Sequence, residues 1–492
     1  MDERVKMNQG QNVEQIDTSR KWFVMAAVAS GMFLATIDGS IVNIALPTLE
    51  RDLHTDFAMV QWVVLAYLLT IATLMLSIGR LADMIGKKTL YLCGFIIFTM
   101  GSALCGFSPN IQTLILFRVF QAIGAVMMTA LGSAIITEAF PPAERGKALG
   151  VGGSMISIGL ISGPTIGGLI LSSFTWHWIF FVNLPIGIIG CLLVWRFVPA
   201  YKPSGKESSD FMGSFCMFIG LLTLLIGLTF GQMEGFSSPL TLGLLFVSAV
   251  SVWLFRLIEQ RALHPMIDLT IFRNRLFSVN VISSFITFIS TGGSVLLMPF
   301  FLQNIQAYPP EQAGLLLAVF PLSMGIVAPL AGWLSDRFGT RRLTVVGLAI
   351  LLLGYIIITG FNEHTSALGY ILAYIPIGLG MGIFQSPNNS AVMGSVPRQR
   401  LGIASGLLSL TRTVGQTAGI AILGAIWVSR AEAIGNLRLG GDVTSAPILI
   451  QVNAMQQTLW TLVFLISGAL ILNVWALCKE ATPTENVIEK AV

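Results

Sequence analysis

Charge is what this sequence has least of. Only 11% of its 492 residues are Asp, Glu, Lys or Arg, while 54% are hydrophobic, and the mean hydropathy is +0.80. A water-facing globular surface needs about 25% charged residues, so a soluble domain is excluded. Metal-ligating residues are equally sparse, with four histidines and five cysteines. Cys93, Cys105, Cys191, Cys216 and Cys478 lie in or at the ends of apolar segments and show no metal-ligand spacing. They are expected to be buried, reduced thiols rather than a metal centre or a disulfide framework. There is no G-x-x-x-x-G-K-[ST] sequence and no polar stretch long enough to house a nucleotide-binding domain, which excludes nucleotide-driven work. No catalytic constellation, cofactor site or nucleic-acid-binding patch is expected, and the net charge of +4 follows from loop placement alone.

What is present is apolar sequence in long, repeated runs. A bilayer core takes about 20 mostly apolar residues per spanning helix, and fourteen such segments lie between residues 22 and 478. The first is too long for a cleaved signal peptide and lacks a small-residue cleavage site, so it is read as a retained span. With both termini on the cytoplasmic side, only Arg51, Arg430 and Arg438 of the 28 Lys and Arg residues fall on outer loops, and only Arg118 and Arg412 fall inside spans. That positive-inside bias sets the orientation and supports the count, because removing one span would invert every later loop. The fifty glycines and twenty prolines suit spans that approach closely and break locally.

Two loops repeat. GRLADMIGKK from Gly79 and GWLSDRFGTRR from Gly332 align without a gap at an offset of 253 residues, matching Gly79 with Gly332, Asp83 with Asp336, Gly86 with Gly339 and Lys88 with Arg341. Pro142 and Arg145 before span 5 are echoed by Pro397 and Arg400 before span 13. Two echoes at nearly one offset indicate duplication. The expected organisation is a cytoplasmic tail (1–21), a six-helix half (22–198), two inserted helices with their preceding loop (199–258), a cytoplasmic linker (259–275), a second six-helix half (276–478) and a cytoplasmic tail (479–492).

These motifs resemble those of the major facilitator superfamily, and within it the fourteen-span drug:proton antiporter family, over essentially the whole chain. The duplicated loop looks like the superfamily signature between spans 2 and 3. VGGSMISIGLISGPTIGGLI (151–170) looks like the span 5 antiporter motif, TIDGSIVNIALP (36–47) is similar to the span 1 motif, FRVFQAIGA (117–125) to the span 4 motif, and WHWIFFVNLPIG (176–187) to the segment leading into span 6. The sequence departs from the family at Met84, Ala122 and Ser40, where a basic residue, a glycine and a threonine are usual. The resemblance implies an all-α polytopic fold of two six-helix bundles with two helices between them. It also implies a monomeric, non-enzymatic secondary transporter in a bacterial cytoplasmic membrane, exporting small amphipathic molecules in exchange for protons. A dedicated exporter of one metabolite, lipid or peptide fits the same scaffold, and a non-transporting membrane protein is the reading from another class.

Three charges sit well inside spans: Asp38, Arg118 and Arg412. A charge at mid-bilayer costs roughly 2.5–3.5 kcal/mol, so each needs a reason. Asp38 and Arg118 fall at similar depth, and two readings stand: a breakable pair in which Asp38 carries the proton, or a permanent ion pair that registers the helices. Arg412 has no in-span acid in its half. Either it meets carbonyls, water or a substrate acid, or it serves packing. Gly159, Gly163 and Gly167 form one helical stripe beside Pro164 and Gly168, and the resemblance implies that this segment seals the interface between halves. Asp83 and Asp336 are expected to cap the starts of spans 3 and 11. The resemblance adds a gating role for that loop set, with Gly79, Gly86, Lys87, Lys88, Arg145 and Arg341, in which Asp83 reaches across to the other half. Glu138 is expected to join Arg145 in a cytoplasmic network. Asn43, Gln61 and Asn388, with Arg412, are the candidates for lining a central substrate cavity, beside other in-span polar residues such as Asn183, Gln303, Asn389 and Gln416.

Overall fold

The computed structural model describes residues 21–141, 144–200, 211–235, 237–260, 269–396, 401–436, 439 and 442–481. Pro142, Pro397 and Arg400 of the second loop echo, and the tails 1–20 and 482–492, lie outside the described residues. Among the described residues fourteen principal helices make up the fold. They are α1 (Lys21–Asp52), α2 (Trp62–Ile85), α3 (Lys87–Gly106), α4 (Ile111–Ala139), α5 (Arg145–Ser173), α6 (Asn183–Phe197, led in by the turn Trp178–Phe181), α7 (Phe211–Glu234) and α8 (Pro239–Glu259). There follow α9 (Arg275–Phe300), α10 (Val319–Phe338, led in by Pro310–Leu317), α11 (Thr340–Ile358), α12 (Ala367–Gly394), α13 (Leu401–Gly435) and α14 (Ile448–Ala481). All but α7 lie in stretches whose length and hydropathy suffice to cross a bilayer, and α7 contributes 24 residues of the same character.

The pairing of helices repeats between the halves. α1 packs on α5 as α9 packs on α13, α3 on α4 as α11 on α12, α2 on α4 as α10 on α12, and α1 on α6 as α9 on α14. α7 and α8 pack on each other, and α7 also lies against α2 and α13, one helix from each half. The added pair therefore sits on a seam between the bundles. On the opposite seam α5 meets Pro310–Leu317 and α10.

The duplicated loops owe their shape to glycine. Gly86 and Gly339 have φ of 103° and 88°, a region that costs a residue with a β-carbon dearly, and each sits alone between two helices. The helix before each glycine continues further than expected. Asp83 lies in the last turns of α2 and Asp336 in those of α10, so neither is the capping residue of the helix that follows. That position belongs to Gly86 and Gly339. The reason is local: Ala82 to Ile85 have no break until the positive-φ glycine, so the helix runs up to it. The side chains of Asp83 and Asp336 lie outside the described set.

Glycine also sets the helix spacing, and here the glycine stripe of α5 has a partner other than the one expected. A β-carbon added at Gly159 would stand 3.0 Å from Thr36 Cβ, one at Gly167 would stand 2.7 Å from Ile44 Cγ2, and one at Gly163 would collide with Ser40 Oγ. All three partners belong to α1, in the same half. Of the same motif, Gly168, where an added β-carbon would stand 2.5 Å from Pro310 O and 3.0 Å from Glu311 Cα, and Pro164, whose carbonyl lies against Gly314, face the other half. Ser40 Oγ, 3.1 Å from the Gly159 carbonyl, adds a hydrogen bond across the α1–α5 contact.

Overpacking a tight contact costs about 1–3 kcal/mol. Gly163→Leu is therefore expected to lower the thermal unfolding temperature of the detergent-purified protein by several degrees. Gly153→Leu, on the same helix but with nothing within 4 Å of an added β-carbon, is expected to leave it unchanged. Equal effects from the two substitutions would contradict the packing assigned to α5.

Candidate functional site

The ion pair lies at the centre of the first bundle. Arg118 Nη1 donates to Asp38 Oδ2 at 2.6 Å, and both side chains are fully buried, at 1% and 0% exposure. The second carboxylate oxygen, Asp38 Oδ1, accepts from Gln121 Nε2 at 2.9 Å and from Asn183 Nδ2 at 2.8 Å. Arg118 also donates to Gln121 Oε1 at 2.7 Å and, through Nε, to the Val63 carbonyl at 3.1 Å. Asn183 Nδ2 donates as well to Ser102 Oγ at 3.0 Å, and Ser102 in turn to the Phe180 carbonyl. The network thus draws on α1, α2, α3, α4 and α6. Arg118 and Gln121 reach one acid because residues three apart share a helix face. A buried pair survives in so apolar a setting only when its remaining valences are met, and here nearly all of them are.

The Tyr67 ring covers the guanidinium, its centroid 4.0 Å from Arg118 Cζ, a stacking that favours the cation. Arg118 and Tyr67 line a central cavity of about 420 Å³ between the two bundles, whereas Asp38 is absent from its wall. The acid is therefore screened from the cavity by its own partner. Gln121 was legible as the residue three after Arg118 in FRVFQAIGA. Asn183 stands out as polar in an apolar run, yet neither pattern names the acid as the shared target.

Most of the cavity wall is apolar or aromatic, including Ile71, Leu160, Phe288, Met298, Phe320 and Met381, as expected of a site for small, largely apolar molecules. At the end away from the duplicated loops it is closed. Phe57 from the first half stacks edge-on against Phe300 and Trp427 from the second, each with ring centroids 5.0 Å away. Gln303 Nε2, in a π-helical turn (Phe301–Ile305) that follows Pro299, donates across the seam to the Ile44 carbonyl at 2.8 Å. Thr444 Oγ1 donates to Glu50 Oε1 at 2.6 Å, joining the α13–α14 loop to the end of α1. Gly168 and Gly314 let α5 and Pro310–Leu317 touch at the same end.

Two of the four proposed cavity residues line the cavity. Asn43, held by a bond from Nδ2 to the Gly39 carbonyl, and Arg412 face it; so do Gln416 and Gln385. Gln61 and Asn388 do not. Gln61 is 0% exposed at the turn between Phe57–Val60 and α2, beneath the aromatic closure, and Asn388 is 1% exposed one turn beyond Gln385. Neither amide has a hydrogen-bond partner among the described residues. Arg412 Nη2 donates to Asn389 Oδ1 at 2.6 Å, so an amide stands where no acid was available.

At the motif-bearing end several charged side chains bond within their own half. Lys87 pairs with Glu138 of α4, which corrects the expected Glu138–Arg145 network. Arg145 Nε instead donates to the Phe140 carbonyl at 3.2 Å, and Glu144 pairs with Lys21 at 2.7 Å. Arg341 Nη1 donates to the Ala476 carbonyl of α14 at 2.7 Å. Lys88 is half-buried, and a β-carbon at Gly79 would meet nothing within 4 Å. Lys87 and Arg341 of the duplicated loops thus each bond within their own bundle while the opposite end is closed.

Comparison with known proteins agrees with this architecture. The family model described as Major Facilitator Superfamily matches residues 28–420 and 280–490. A riboflavin transporter of Clostridioides difficile (strain 630) is 34% identical over 460 residues, covering 94% of this chain and 98% of its own. The multidrug resistance protein Stp of Mycobacterium tuberculosis (strain CDC 1551 / Oshkosh) is 34% identical over 409 residues, covering 82% and 76%. Among solved structures, a POT family transporter in complex with a thioalcohol-conjugated peptide shares the fold with a TM-score of 0.68 at 16% identity, covering 93% of this chain and 96% of its own. A bacterial homologue of the human lysosomal transporter Spinster, in an inward-facing and unoccupied conformation, does so with a TM-score of 0.66 at 17% identity, covering 95% and 98%. Fourteen apolar helices in two similarly paired bundles, a central cavity and these matches lead to one conclusion: the chain belongs to the Major Facilitator Superfamily and is a multi-pass membrane transporter.

Proposed function

We propose that this transporter exports small amphipathic molecules in exchange for protons, by alternating access, from a cytoplasmic membrane in which the duplicated loops and both termini face the cytoplasm. The observation that carries the reading is the Asp38–Arg118 pair, fully buried and adjoining the cavity through Arg118 and Tyr67. While paired, the Asp38 carboxylate has its charge matched by Arg118 at 2.6 Å. Drawing Arg118 toward a substrate or a rearranged helix leaves a carboxylate in apolar surroundings, where taking up a proton removes the cost of the bare charge. Helix rearrangement and protonation are then one event, as exchange requires. One proton moving inward across 100 mV supplies about 2.3 kcal/mol, which suits uphill export. Closure by Phe57, Phe300 and Trp427 supports assigning this state to the inward-accessible half of the cycle. The multidrug relative supports a broad substrate range.

A second reading, a dedicated carrier of one metabolite, is favoured by the riboflavin transporter, which is matched over 98% of its length, against 76% for the multidrug protein.

Cells expressing the protein are expected to extrude several chemically unrelated dyes, and a proton uncoupler is expected to stop that extrusion. Transport of riboflavin alone among the compounds tried would select the second reading, and extrusion of none would remove the first. Asp38→Asn keeps the shape and deletes the charge. It is expected to reduce uncoupler-sensitive efflux to background while the protein still reaches the membrane. Because removing one partner of a buried pair costs about 3–5 kcal/mol, a monodisperse size-exclusion profile must accompany the result. Undiminished proton-coupled efflux from a folded Asp38→Asn protein would restrict Asp38 to a structural role.

A further inference from the structure

The charges on the cavity wall do not balance. Two arginines, Arg118 and Arg412, line it, and no Asp or Glu does so among the described residues. Arg118 is neutralised by Asp38 from behind. Among the described residues Arg412 has no such counter-ion. Its Nη2 donates to the neutral Asn389, its Nε is buried without any hydrogen-bond partner, and its guanidinium lies 5.7 Å from the Phe288 ring centroid. A buried donor left unmet is costly, and a guanidinium offers two parallel N–H groups matched to the spacing of a carboxylate. Aromatic and hydroxyl groups of the second half also line the cavity, where Tyr374 shares a 2.6 Å hydrogen bond with Ser294 and Tyr355 is part of the wall.

We infer that the cavity selects substrates bearing a carboxylate or similar anionic group on an aromatic body, with Arg412 as the residue that binds the anion. Phe288 and Tyr374 offer the ring surfaces. A lipophilic cation of the same size finds no carboxylate on the wall and an uncompensated guanidinium instead, so it is disfavoured by repulsion as well as by desolvation. Asn389 is the positioning residue: its amide oxygen holds the Nη2 end of the guanidinium at 2.6 Å and so sets the direction of the remaining N–H groups. This inference rests on the reading of the cavity as the transport site and narrows the substrate class within it.

Three fluorescent probes with one ring system separate the possibilities: 7-diethylaminocoumarin-3-carboxylate, its neutral ethyl ester and its cationic choline ester. Binding to the purified protein in nanodiscs and proton-driven transport in proteoliposomes are measured for each. The carboxylate is expected to bind and to be carried about 10-fold better than the choline ester, the scale of one charge-assisted hydrogen bond. Arg412→Gln is expected to lose about that factor for the carboxylate with little change for the ethyl ester, and Arg412→Lys to recover part of it. Asn389→Ala tests positioning, and it is expected to weaken the carboxylate selectively and the ester little. A wild-type protein that carries the choline ester as well as the carboxylate would overturn the inference and leave the exporter reading standing, as would an equal loss for all three probes in a folded Arg412→Gln protein. Should none of the probes be bound or transported, while the unrelated dyes are extruded, the anionic aromatic class is wrong; if the dyes too are not extruded, the exporter reading fails with it.

Discussion

A carboxylate and a guanidinium buried together in an apolar bundle constrain the first half more than any other contact. Neither charge tolerates solitude there, so polar neighbours are drawn in: Gln121 and Asn183 onto Asp38, and the Val63 carbonyl onto Arg118. Five helices meet at this point. The same demand makes the pair responsive, since a change that separates the two charges must be matched by a proton, a substrate anion or another hydrogen bond. The second half has a different arrangement. Arg412 is met by an amide rather than an acid, which leaves positive charge facing the cavity where the first half presents a compensated pair.

Close helix approach is the other condition on which the fold depends. Gly163 against Ser40, Gly124 against Phe98 and Gly347 against Phe384 leave no room for a β-carbon, and in lipid such contacts replace the hydrophobic drive that packs soluble helices. Gly168 and Gly314 do the same across the seam between halves, at the end where Phe57, Phe300 and Trp427 close the cavity. Rigid bundles with a seam of small and aromatic residues can rock against each other without repacking their interiors.

Much of this was legible in the residues. The near absence of charge and the recurrence of apolar runs lead directly to a multi-span helical protein. The offset between Gly79 and Gly332 exposes the duplication, and the rarity of in-span charge singles out Asp38, Arg118 and Arg412. Matching Gly86 with Gly339 found two positions that share a positive φ. The misreadings share a cause. The stripe of Gly159, Gly163 and Gly167 announces a tight contact but cannot name its partner, which proved to be α1 rather than the other half. Gln61 and Asn388 are polar residues within apolar segments, and nothing in a linear pattern tells a cavity-facing amide from one enclosed by packing.

What the sequence by itself determined is what the bilayer sets as solvent: the helical spans, their duplication in two halves, and the small set of charges that must have a purpose. Those follow from transfer energies that act residue by residue. Only the tertiary structure decided which groups share a site. It put Asn183 and Gln121 on Asp38, kept Asp38 off the cavity wall, paired Lys87 with Glu138 and left Arg412 facing the cavity. Such choices depend on the rotation and depth of helices relative to one another, which glycine contacts between distant segments set and no single span encodes.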